Sequence, residues 1–304
     1  MLYRVIDAAE LPSLVSAFME TYEVVAPVKR DQGYAFETIE SPDDIELAYP
    51  TTMASPKKYF LPPEETLMSF DARTNSVTDF AAEITPRVIF GAHACDINAV
   101  NRLDLVFKDG RYPDPYYVAR RNATLIVGIS CMPSETCFCH LWGSDEARFG
   151  YDLFLQDIGG KYLVSISSVE AANILEAACN PRVATDEDRI EFRHATRRRQ
   201  EAFNDAIPDI QDTFDPSGEA GRRERVWDAC TAPQFAQVAG GHNFRGDGRN
   251  RVRHRMYHKL NGFLANHDRM LCVGCGRCVK ACKANINPIE VLEFFERKGM
   301  QDAQ

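Results

Sequence analysis

Four of the chain's ten cysteines stand in the segment LCVGCGRCVKAC, as Cys272-x2-Cys275-x2-Cys278-x3-Cys282. Three thiolates two residues apart can meet three corners of one [4Fe–4S] cubane, and this is the spacing of the bacterial ferredoxin run. Gly274 and Gly276 let the backbone turn tightly enough to wrap such a cluster. Backbone N–H groups in a loop of this kind point at the sulfurs and spread their charge. Zinc sites separate two ligand pairs by a longer spacer, whereas these four cysteines fall within eleven residues. The fourth ligand has two candidates. In two-cluster ferredoxins the last cysteine serves the other cluster and precedes a proline. Here Lys283 follows Cys282. Either Cys282 closes the cluster or a remote thiol does, and Cys230 in RVWDAC is the remote candidate.

A second group, Cys95, Cys131, Cys137 and Cys139, matches no short motif. Cys95 follows the apolar run VIFG and Cys131 follows TLIVGIS. If these runs are neighbouring parallel strands, both thiols emerge at the carboxyl ends of a sheet, where open α/β sheets hold their ligands. The segment MPSETCFC can then bring Cys137 and Cys139 to the same edge. A second [4Fe–4S] cluster is the expectation there, with His93, Asp96 or His140 able to replace one thiolate. The competing readings are a cluster of reduced structural thiols and a zinc site using Cys139 and His140. Cys179 ends an apolar helical pattern and reads as core.

No G-x-G-x-x-G fingerprint occurs, so flavin or nicotinamide is expected on a partner and not on this chain. The stretch His242 to Lys259 carries six Arg or Lys and one acid. It reads as a solvated helical face, or as cations that tune an anionic cluster or dock an acidic partner. The whole chain has 44 acidic and 35 basic residues, a net charge of −9, which argues against a nucleic-acid binder. No apolar run reaches the roughly 18 residues of a membrane span. The start, MLYRVIDAAELPS, lacks a signal pattern, so the expected location is the cytoplasm. There ten cysteines are metal ligands, catalytic thiols or buried hydrophobes, not disulfides.

The elements that must position these residues follow from periodicity. Glu10 to Val24 carries Leu14, Val15, Phe18 and Met19 at helical spacing, and GYAFETI alternates like a half-buried strand. Ser55 to Glu65 is too rich in proline for anything but a loop. VIFG is a buried strand, and Asp96 can cap a helix bearing Ile97, Val100, Leu103 and Phe107. TLIVGI is a second strand, and strand–helix–strand at this spacing implies parallel pairing. A hairpin turning at Gly159-Gly160 and the helix SVEAANILEAAC come next. Charged helices such as RHATRRRQEAF lead into IPDIQDTFDPSGEAGRRER, which reads as a linker. The expected organisation is an α/β domain with a partly parallel sheet over 1–180, a helical and linker segment over 181–225, and a small, mainly helical ferredoxin-like iron–sulfur domain over 226–304.

The segments SPKKYFLP, FGAHACDINAVNRLD, DPYYVARRN, ISC…CFC, GYDLFL, WDAC, AGGHN, HRMYHK and CVGCGRCVKAC occur in that order along the chain. Together they resemble the iron–sulfur family that contains the A subunit of anaerobic sulfite reductase and the beta subunit of cytosolic sulfhydrogenases. The resemblance implies an electron-transfer subunit sitting between a flavin-containing, NAD(P)H-reactive subunit and a catalytic subunit, a hydrogenase or a sulfite reductase. It implies cluster ligation by Cys272, Cys275 and Cys278, and it favours ligands at Cys95, Cys131, Cys137 and Cys139. The family usually carries two ferredoxin-type runs, before and after the WDxC segment. Here FNDAIPDIQDTFDPSGEAGRRER contains no cysteine. That departure implies one lost cluster and shifts the fourth-ligand choice toward Cys230. The alternative to a relay is a self-sufficient reductase that binds a small substrate at the Cys95/Cys131 edge.

Overall fold

The structure is a computed structural model that describes residues 2–31, 33–65, 67–71, 76–79, 84–203, 232, 235–238, 242–260, 262–282 and 286–293. The expected linker and Cys230 lie outside the described residues. In chain order the strands are β1 (Leu2–Asp7), β2 (Glu23–Arg30), β3 (Gly33–Thr38), β4 (Met68–Asp71), β5 (Ser76–Asp79), β6 (Arg87–Ala92), β7 (Thr124–Ile129), β8 (Leu153–Asp157) and β9 (Lys161–Ile166). The helices are α1 (Leu11–Met19), α2 (Ala94–Phe107), α3 (Pro115–Asn122), α4 (Val169–Ala178), α5 (Asp186–Glu201), α6 (Gly248–Leu260), α7 (Leu264–His267) and α8 (Arg277–Ala281).

Two compact units emerge. The first comprises Met1–Phe60, Glu83–Ala206 and Val273–Ile286, and the second Leu61–Ala82, Ile207–Cys272 and Asn287–Gln304. The second unit contains the antiparallel pair β4–β5 and helices α6 and α7.

The first unit is a mixed seven-stranded sheet in the order β1-β9-β8-β7-β6-β2-β3. Its centre, β2-β6-β7-β8, is parallel, and the antiparallel strands β3, β9 and β1 flank it. VIFG and TLIVGI do pair in parallel, with Ile89 opposite Ile126, and α2 and α3 form the crossover between them. Alternation sorts the side chains. Val88, Phe90, Val127, Ile129, Leu153 and Leu155 join α1 and α4 in one core. Ile89 and Ile126 are buried too, on the other parity, which Gly128 shares and which faces Ile97 of α2.

Local chemistry explains the helix starts. Pro115 opens α3 behind Asp114, whose carboxylate accepts from Tyr116 N and Tyr117 N at 3.0 and 3.1 Å. Ser168 caps α4, and Thr185 with Asp188 forms a capping box for α5. The proline-rich segment is a loop with one 3-10 turn, Pro56–Tyr59.

Two details differ from the sequence reading. The helical pattern from Glu10 stops at Met19, and Glu23–Arg30 is an interior strand in spite of Pro27. Pro27 is tolerated because β2 pairs with β6 only over Glu23–Val25, which leaves no ladder partner for its missing N–H. Asp96 also does not cap α2. His93 is the N-cap, and Asp96 sits in the first turn.

Candidate metal centre

Cys95 lies one residue into α2, at the carboxyl end of β6, and Cys131 lies two residues past the end of β7. The parallel pairing of those strands brings both to the same edge of the sheet. The chain then turns back through Ser134, whose carbonyl accepts from Cys137 N at 2.9 Å and whose hydroxyl lies 3.2 Å from Cys137 Sγ. Cys139 opens a 3-10 turn, Cys139–Trp142, and its carbonyl accepts from Ser144 N. Cys95 and Cys139 are buried, with Cys137 packed against them.

The same packed cluster contains Val273 and Cys275. The C-terminal run therefore folds onto the second cysteine group inside the first unit, a contact that sequence spacing did not reveal. Its backbone geometry is specific. Gly274 and Gly276 have φ of +66° and +68°. A Cβ on Gly274 would stand 2.5 Å from Phe138 O and 2.6 Å from Cys139 Cα. A Cβ on Gly276 would meet Thr136 O and stand 2.6 Å from its Oγ1. Only glycine combines the left-handed backbone with so close an approach. Phe138 N donates to Gly274 O at 2.9 Å, which stitches the two loops together.

Arg277, a spacer between two cysteines, locks this arrangement. Its Nη1 and Nη2 donate to the two oxygens of Asp96 at 2.7 and 3.0 Å. Its Nε and Nη2 also reach Thr52 O and Oγ1 at 2.9 and 2.8 Å. Thr52 is held against β3 by a bridge to Tyr34. Both oxygens of Asp96 are thus engaged. His93 stacks on Tyr49 with ring centroids 4.0 Å apart, and its Nε2 is buried without a hydrogen-bond partner. Burial pushes the His93 pKa down to about 4, so the imidazole is neutral. His140 packs against Phe203 with ring centroids 4.3 Å apart and the rings tilted by 36°.

Burial, and then the neighbouring Asp96 and Cys275, push the Cys95 thiol up. The Cys131 pKa rises to about 12, through burial first and the Cys137 charge second. Cys139 moves the same way, from burial and then from Cys131 and Cys137. Thiols that raise one another's pKa belong to one group, and a cation is what would hold them as thiolates. Among the described residues no three His, Cys, Asp or Glu side chains come together as the ligands of a single ion would. A cubane takes one thiolate at each of its four irons.

Of the C-terminal run, Cys275, Cys278 and Cys282 fall in the first unit and Cys272 in the second. Cys272 N donates to Lys259 O at 3.0 Å, at the end of α6. Cys282 Sγ accepts an N–H from Ile286 at 3.4 Å. Cys179 is buried in the core beside α1, with its pKa raised to about 11 by burial. The basic stretch is largely helix α6, in which only Leu260 is buried.

A family model for a 4Fe-4S dicluster domain matches residues 206–286. Over 343 aligned positions the chain is 32% identical to sulfhydrogenase 2 subunit beta of Pyrococcus furiosus, with 99% of this chain and 100% of the relative covered. The chain belongs to the sulfhydrogenase beta-subunit family. No solved structure matches it. Membership makes the chain an iron–sulfur protein with a cluster-binding domain at its C-terminal end. The alignment of 343 positions exceeds the 304 residues here, so the family relative carries segments that this chain lacks. Within 206–286 stand five cysteines, Cys230, Cys272, Cys275, Cys278 and Cys282. Two four-cysteine cubanes need about eight ligands, so the matched segment alone is short of thiols for a dicluster. No described helix is long and apolar enough to cross a membrane.

Sequence reasoning missed Arg277, Thr52 and the docking of the two cysteine groups. One signal was present: a lone acid, Asp96, directly after Cys95, and a lone cation, Arg277, directly before Cys278.

Proposed function

We propose that this chain is an electron relay in a cytoplasmic multi-subunit oxidoreductase, between a flavin- and NAD(P)H-reactive subunit and a catalytic subunit of hydrogenase or sulfite-reductase type. One [4Fe–4S] cluster is assigned to Cys272, Cys275 and Cys278, with Cys282 or Cys230 as fourth ligand. A second is assigned to Cys95, Cys131, Cys137 and Cys139. The ferredoxin-like domain would occupy 226–304. Bound clusters supply one-electron redox chemistry and no substrate chemistry need occur on this chain. The residues of the chain ligate, bury and hold the sites in register.

The observation that carries this reading is the packing of Cys275 against Cys95, Cys137 and Cys139 in one buried group. Electron hopping rewards short separation between carriers, and a shared wall of protein provides it. Thiol number agrees: with Cys179 set aside as core, nine cysteines remain, and two cubanes need about eight. The ninth is the surplus candidate among Cys230 and Cys282. The N–H from Ile286 to Cys282 Sγ, a bond of the kind that stabilises a ligating thiolate, favours Cys282.

Iron and acid-labile sulfide in anaerobically purified protein, with EPR after reduction, test the reading. Two clusters give about eight iron per chain and one gives about four. Cys131→Ser and Cys275→Ser should each remove a different EPR signal and about four iron. A count near four that Cys131→Ser leaves untouched would sink the second cluster.

A further inference from the structure

We propose that a cavity of about 700 Å³ between α5 and the outer strands of the first unit is a binding site for a flat aromatic anion. The space arises from how two faces meet. Phe192, Thr196 and Arg199 stand four and three residues apart on α5, so they share one stripe. Phe154 and Gln156 on β8, and Leu163 and Ser165 on β9, share the opposing sheet face by the two-residue period. The stripe and the sheet face line the cavity without filling it. Its volume lies within the usual range for cofactor and small-molecule sites.

The walls select the body of the ligand. Tyr3, Tyr151, Phe154 and Phe192 line the cavity, and the rings of Tyr151 and Phe154 lie 5.4 Å apart. Aromatic side chains around a slot favour a flat aromatic guest. The polar groups select its charge. Arg4, Arg148, Arg189 and Arg199 line the space against the single carboxylate of Glu146. Arg199 is 5% exposed, and its Nε has no hydrogen-bond partner. Its ion pair to Glu146 is long, at 3.5 Å, and Glu146 is half exposed. Thr196 Oγ1, which can donate, and Gln156 Oε1, which can only accept, are also buried without partners. The guanidinium and the Thr196 hydroxyl are completed by a ligand that brings acceptors, and the guanidinium fork matches a carboxylate, sulfonate or phosphate.

Isothermal titration calorimetry on the anaerobically purified full chain tests the assignment, with 2-naphthoate as the aromatic anion and 2-naphthylmethanol as its neutral counterpart. Naphthoate should bind saturably at one site, and naphthylmethanol about tenfold or more weaker, the usual effect of losing one charged hydrogen-bonded contact. Arg199→Gln should weaken naphthoate by a similar factor. Thr196→Phe fills the slot and should abolish binding while leaving the EPR spectrum of the reduced protein unchanged. Should Arg199→Gln fail to fold, Arg148→Gln serves the same purpose. No saturable naphthoate binding, equal affinity for the neutral probe, or naphthoate binding that survives Thr196→Phe would each overturn the proposal.

Discussion

At the residue scale, the most consequential side chain is one that motif counting treats as filler. Arg277 separates Cys275 from Cys278, yet it ends in a bidentate pair with an Asp96 whose side chain is 0% exposed. A buried pair adds little net stability over a well-packed apolar pair, but breaking it strands a charge. Arg277→Met should therefore destabilise the protein by about 3–5 kcal/mol, because the Asp96 carboxylate stays buried without its counter-charge. Adding Asp96→Leu should recover much of that loss. Arg277→Lys should rescue poorly, since an ammonium cannot reproduce two parallel N–H bonds together with the contacts to Thr52. Denaturant unfolding of the two single variants and the double variant gives the coupling directly. Additive effects would mean that the two residues do not act as a unit. The sequence could not announce this pair. Asp96 offered an equally good explanation as a helix cap, and its true partner lies 181 residues away.

At the element scale, the sequence reading found only the charged second half of α5, in RHATRRRQEAF, although the residues also mark its start. Thr185 and three acids in the first turn mark its start, and Arg198 and Arg199 stand in its last turn. Its apolar stripe is thin: Phe192 packs against Val5, Ile158 and Leu163, and Thr196 and Arg199 face a cavity. Strand β2 was hidden for the opposite reason: Pro27 forbids an interior strand unless the ladder has already ended on that side, and only the pairing shows that it has. Asp188 fixes α5 to the strands. It accepts from Arg182 at 2.5 and 2.9 Å and from Thr185 N and Oγ1 at 2.8 Å, and these bonds hold its carboxyl well below the usual carboxylate range. A carboxylate with a lowered folded-state pKa adds stability above its unfolded value of about 4, and that stability is lost as the pH falls toward the folded value. Asp188→Asn should cost about 1–3 kcal/mol at neutral pH. The gap to the parent should narrow as the pH falls below about 4, because the carboxylate of the unfolded parent then takes up a proton while the folded one stays ionised. Thermal unfolding of both proteins between pH 7 and pH 3 measures this. A gap that stays constant would show that the charge of Asp188 contributes nothing.

At the scale of the whole molecule, the sequence revealed two groups of cysteines, and the fold reveals that they adjoin. Helix and strand periodicity predicted that Cys95 and Cys131 leave parallel strands at one edge, since β6 and β7 are apolar runs separated by helical spacing. It could not predict that Gly274 and Gly276 lay the last cysteine run against Thr136–Cys139, because close backbone approach leaves no mark beyond two glycines that a cluster loop would need anyway. The juxtaposition bears on how the chain is reduced. On the proposed reading the chain carries no flavin, and a relay of that kind needs a partner to accept a hydride from NAD(P)H and split it into single electrons. Anaerobic holoprotein mixed with NADPH alone should stay EPR-silent, whereas dithionite should elicit the signals of reduced clusters. Addition of a flavin-containing NAD(P)H reductase should then let NADPH produce the same spectrum. Cys275→Ser should retain the part of that spectrum assigned to the Cys95, Cys131, Cys137 and Cys139 group, but it should slow or stop reduction of this group if electrons arrive through the C-terminal run. Equally fast reduction in that variant would mean that electrons enter at the sheet edge. Reduction by NADPH with no partner present would replace the relay by a reductase that carries its own hydride acceptor.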